Sequence, residues 1–141
     1  MIVPDINLLL YATIDGFPAH RTARAWWESC LNGEEPVGLP LPVIFGFVRI
    51  ATHPRVLEAP LRVAQATGMV RSWLEEPHVH VVHPGQRHLE LAFGLLEALG
   101  SAGNLTTDAQ IAALAIEHQA ELHSTDRDFA RFGGLRWRDP L

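Results

Sequence analysis

The chain has 141 residues, 48% of them hydrophobic and 19% charged, which suits one globular domain with its own core and argues against disorder. One cysteine, Cys30, leaves no partner for an internal disulfide, and no apolar run approaches the roughly twenty residues needed to cross a bilayer. A formal net charge of -5 excludes a broad basic face for nucleic acid, and because all eleven basic residues are arginine, a P-loop with its phosphate-binding lysine is excluded too.

Residues 1–5 read as a short buried strand that ends in a carboxylate, Asp5, and Asn7 begins a helical segment. Pro4 and Asp5 stand where a secretion signal needs its basic and apolar regions, so the expected location is the cytoplasm. A second helix is predicted over residues 18–31, with proline in its first turn, Ala23, Trp26 and Trp27 at helical spacing, and Asn32-Gly33 as its stop. Residues 36–40 supply a second strand. Val43, Ile44, Phe47, Val48 and Ile50 then form the apolar face of a helix that ends near Thr52-His53-Pro54.

The periodicity of Val63, Ala66, Met69, Val70, Trp73 and Leu74 predicts a helix over residues 61–76, stopped by Pro77. A third strand follows at 79–82. Helices over 85–99 and 107–119 flank the turn-rich 100–104, and 121–124 returns to a strand. This alternation predicts a single domain, residues 1–141, with an α/β three-layer sandwich: a mainly parallel sheet of four or five strands covered by helices on both faces.

In such sheets ligands bind outside the carboxyl ends of the strands, which is where Asp5 and Asp126 fall. With Thr107 as N-cap, Asp108 in the first turn of its helix reaches the same rim. Taken singly, each aspartate is an ordinary turn or cap residue. Together they form a mutually repelling set of hard oxygen donors, best balanced by Mg2+, with Mn2+ as substitute, and suited to phosphodiester hydrolysis without a serine or cysteine nucleophile. His78 and His80 share a strand face but lack a third ligand at metal spacing, so they read as solvated edge residues. Trp26, Trp27 and Trp73 read as core.

Four segments carry a resemblance that spans nearly the whole chain: Asp5-Ile6-Asn7-Leu8-Leu9, Phe47-Val48-Arg49-Ile50-Ala51-Thr52-His53-Pro54-Arg55, Gly103-Asn104-Leu105-Thr106-Thr107-Asp108-Ala109 and Ser124-Thr125-Asp126-Arg127-Asp128-Phe129. With these the chain resembles the PIN domain family, specifically the VapC-type toxins of bacterial toxin-antitoxin pairs. The resemblance implies a magnesium-dependent endoribonuclease acting on RNA, a homodimer, and inhibition by a cognate antitoxin protein. Asp5, Asp108 and Asp126 match the family's first, third and fourth acidic positions, Ser124 or Thr125 its hydroxyl residue, and Asp128 is expected to assist through water. Asn7 and Arg49 are assigned to site or RNA support, although Arg49 also fits a helix-surface ion pair.

One position departs from the family. Relatives carry a glutamate just before the Phe-x-Arg segment, where this chain has Gly46. The departure keeps a second reading open, a PIN-fold module that binds RNA or protein without full metal chemistry; a third, drawn from the aspartate-rich rim itself, is a different two-metal nuclease or phosphatase that differs in substrate rather than chemistry.

Overall fold

The computed structural model describes residues 1–141. Strand β1 (Ile2–Pro4) leads into helices α1 (Ile6–Thr13) and α2 (His20–Asn32), and β2 (Val37–Pro40) into α3 (Leu41–Ala51) and α4 (Val63–Leu74). Strand β3 (Val79–Val82) is followed by α5 (His88–Leu99) and α6 (Leu105–Glu117), then by β4 (Glu121–His123), a 3-10 helix (Arg127–Arg131) and β5 (Arg136–Arg138). All strand pairs are parallel, in the order β3-β2-β1-β4-β5.

Every residue of β1 and β2 is buried. Consecutive buried positions require cover on both faces, which is why these strands are apolar runs rather than alternating ones. The chain moves from β1 outward to β2 and β3, then returns to place β4 on the other flank of β1. Right-handed crossovers therefore put α1–α4 on one face and α5–α6 on the other. The reversal leaves a topological switch point between β1 and β4.

The tryptophans pack as expected. Trp27 meets Trp73 edge-on with ring centroids 5.4 Å apart, Phe47 lies 5.0 Å from Trp73, and Trp26 packs on the His123 ring at 5.8 Å. His80 is exposed on the edge strand β3, whereas His78 is half-buried and its Nε2 bonds the Cys30 carbonyl at 3.0 Å. No helix is long and apolar enough to cross a membrane.

One expectation here needs correction. Thr107 is not an N-cap: α6 begins two residues earlier at Leu105, capped by Asn104 without a side-chain bond, and Thr107 is exposed. Gly103, at φ 54°, starts the turn, and the Leu105 and Thr106 N–H groups already donate to the Ala102 and Gly103 carbonyls. Asp108 remains in the first turn. The five strands fall within the expected four or five; Arg-Trp-Arg carries little strand signal of its own, and β5 forms by pairing with β4 through Glu121–Arg136, Leu122–Trp137 and His123–Arg138.

Candidate active site

Asp5 leaves the end of β1 and becomes the N-cap of α1, its Oδ1 accepting from the Ile6 N–H at 2.7 Å. Its own N–H donates to the His123 carbonyl at 2.9 Å, locking it to the end of β4. The fully buried Ser124 hydroxyl donates to Asp5 Oδ2 at 2.8 Å and accepts from the Asp126 N–H at 2.9 Å. Asp126 in turn caps the 3-10 helix, its Oδ1 accepting from the Asp128 N–H at 2.9 Å. One hydroxyl thus ties the Asp5 carboxylate to the backbone of Asp126, 121 residues away in sequence, across the switch point.

The other half of this arrangement is electrostatic. Burial pushes the Asp108 carboxyl up to about 6, and the charges of Asp5, Asp126 and Asp128 push it the same way. Burial also raises the Asp5 carboxyl, opposed by the hydrogen bonds from Ser124 and Ile6 and reinforced by the charge of Asp126. The three aspartates singled out in the sequence, with Asp128 beside them, are therefore close enough to feel one another as negative charge. As the side chains stand, no three acidic, imidazole or thiol groups are gathered closely enough to hold one metal ion. The donors match a hard divalent cation in kind and in unbalanced charge; their spacing is wider than one shared ligand sphere.

Gly46 is buried on α3 beside this rim. A Cβ built there would collide with Ile6 Cδ1 and stand 3.0 Å from Ile6 Cγ1. The residue next to Asp5 thus fills the space in which an acidic side chain would begin. Arg49, one turn along α3 from Phe45, is exposed and takes part in none of the ion pairs, so the ion-pair expectation fails. Asn7 and Thr125 are half-buried near the site without a side-chain hydrogen bond.

The PIN domain family model matches residues 2–135, taking in all four carboxylates. The chain belongs to the PIN domain family. Ribonuclease VapC33 of Mycobacterium tuberculosis is 58% identical over 141 residues, covering 100% of this chain and 99% of its own. The parallel sheet and its helices match solved PIN folds. Mycobacterium tuberculosis VapC20, a sarcin-ricin loop cleaving toxin, superposes with a TM-score of 0.71 at 20% identity over 96% of this chain and 99% of its own. A toxin-antitoxin complex from Klebsiella pneumoniae matches at 0.68 and 20% identity, covering 100% and 98%.

In this PIN domain the sequence did not disclose how Ser124 is held. Its N–H donates to the Arg138 carbonyl at 3.0 Å, and its own carbonyl accepts from Trp137 Nε1 at 3.0 Å. Strand β5 therefore clamps the residue that fixes Asp5. The only hint was the indole at 137, whose N–H needs a partner when partly buried.

Proposed function

We propose that this PIN-domain chain is a magnesium-dependent endoribonuclease toxin that hydrolyses RNA phosphodiester bonds in the cytoplasm, acts as a homodimer and is neutralised by a cognate antitoxin. The observation that carries the reading is the convergence of Asp5, Asp108, Asp126 and Asp128 at the switch point, with Asp108 held at about 6 by burial and by the other three. The full-length likeness to Ribonuclease VapC33 supports the substrate class. The Klebsiella toxin-antitoxin complex supports the protein partner.

Asp5, Asp108 and Asp126 would hold the cation by drawing in from their present wider spacing, with Asp128 assisting through water. When bound there, a divalent ion would supply a more acidic water and offset charge on the phosphodiester. The chain's own groups do the rest. Ser124 fixes the rotamer of Asp5, the α1 N-terminus orients its other oxygen, and Arg49 is free to meet a phosphate. Asn7 and Thr125, half-buried beside Asp5 and Asp126 along the chain, are assigned to support of the site.

Titration of magnesium against cleavage of a transcript panel tests this. The expected result is metal-dependent endonucleolytic cutting that Asp5→Asn and Asp108→Asn abolish. A wild-type protein that cuts nothing, or aspartate variants that cut equally well, would overturn it. The non-catalytic reading draws on Gly46, but the Ile6 packing shows that position to be a filled, self-consistent part of the rim rather than a void.

A further inference from the structure

A groove of about 510 Å³ opens beside the carboxylates, between α3 and α6. Ile6 over Gly46 lines it, with Phe45 and Arg49 of α3 and, a turn earlier on that helix, Leu41 and Pro42 on one side, and Thr107 and Gln110 of α6 on the other. Ile6 follows Asp5 and Thr107 precedes Asp108, so two of the groove's lining residues are chain neighbours of site carboxylates, while no carboxylate lines the groove itself. Phe45 is 66% exposed, an unusual state for a phenylalanine on a helix whose other face is core. Phe45 and Arg49 lie at i and i+4 on the same side of α3, and Thr107 and Gln110 at i and i+3 on α6.

We infer that this groove takes one unpaired nucleotide of single-stranded RNA next to the scissile phosphodiester: Phe45 stacks on the base, Arg49 meets its phosphate, and Gln110 reads the base edge. The inference rests on the ribonuclease reading and names the substrate class of that same site. Three features favour a nucleotide over other occupants. The volume falls within the about 300–1,000 Å³ typical of sites for small ligands. The lining combines an aromatic face, a guanidinium without an ion partner and an amide that both donates and accepts, the set by which splayed-out RNA bases are held. On a chain of net charge -5, Arg49 is the single charged group of the groove. A paired base offers neither its face nor its Watson–Crick edge, so the groove selects loops and single-stranded ends over duplex.

The test uses the full-length Asp108→Asn protein, in which cleavage is expected to be abolished, and a single-stranded RNA about 12 nucleotides long carrying 2-aminopurine at successive positions. Stacking on Phe45 quenches the probe at one position. Phe45→Leu, which keeps apolar bulk but not the aromatic face, weakens binding by at least about fivefold and abolishes that quench, while Phe45→Trp restores both. Gln110→Leu changes which base is preferred at the quenched position. Phe45→Leu binding with wild-type affinity, or tighter binding of duplex than of single strands, overturns the inference. So does a Phe45→Leu protein that changes only its sedimentation behaviour, since a second copy of the chain would then cover the patch. With Asp108 intact, metal-dependent cleavage that is indifferent to Phe45→Leu sinks the groove alone and leaves the ribonuclease reading standing. A protein that neither binds nor cuts RNA removes the ribonuclease reading first.

Discussion

Asp108→Asn separates stability from function, because the residue most exposed to its neighbours' charge is also one proposed to hold the cation. A carboxyl at about 6 instead of 3.8 is disfavoured in its ionised form by at most about 3 kcal/mol, at 1.36 kcal/mol per pH decade. The side chain is only half-buried, so solvent screening brings this to about 1–2 kcal/mol. Asparagine resembles the protonated acid and carries no charge. In metal-free protein at about pH 8 the variant should therefore be the more stable form, by about 3–8 °C in Tm for a chain of this length.

The pH dependence has a fixed sign. A carboxyl whose folded value is raised contributes stability below its ordinary value, and that contribution is lost as pH climbs through the folded value. The difference in Tm between Asp108→Asn and wild type should be smallest below about pH 4, widen up to about pH 6 to 7 and then level off. Millimolar magnesium should reverse the ranking, raising the wild-type Tm by binding the folded state and the variant's much less. Differential scanning fluorimetry across pH, with and without magnesium, reads all of this. An Asp108→Asn protein no more stable than wild type at high pH, or an identical response of both to magnesium, would refute the electrostatic account of the site.

Four further outcomes follow from the structure. Ser124→Ala leaves a buried Asp5 oxygen without its donor and the Asp126 N–H without its acceptor; urea unfolding should show a loss of about 1–3 kcal/mol and a still higher Asp5 carboxyl, with cleavage falling further than stability explains. Gly46→Ala forces Ile6 to move and should cost about 1–3 kcal/mol, recovered in large part by pairing it with Ile6→Val. Gly46→Glu should need the same companion change before any gain in metal affinity can be read by calorimetry. Burial pushes the Cys30 thiol up to about 11, so it should resist thiol reagents at neutral pH and react only on unfolding, as a timed Ellman assay would report.

Much of the architecture was legible because the elements are strongly periodic. The apolar runs at residues 1–5 and 36–40, the tryptophan spacing and the glycine and proline stops each record one local choice, and local choices are written in adjacent residues. Asp5, Asp108 and Asp126 could be singled out for the same reason: each stands just past a strand or in a first helical turn. What the sequence left undecided are relations between distant segments. Thr107 lost the cap to Asn104 because the left-handed Gly103 began the helix early. Strand β5 exists only through its ladder with β4, and through it Ser124 is clamped onto Asp5. Gly46 read as a missing acid; only packing showed Ile6 occupying its place. Residue type fixes what a side chain can do, whereas burial and the charge around it, which raise Asp108 and bring two caps and a first-turn aspartate into one site, arise only when the folded chain brings them together.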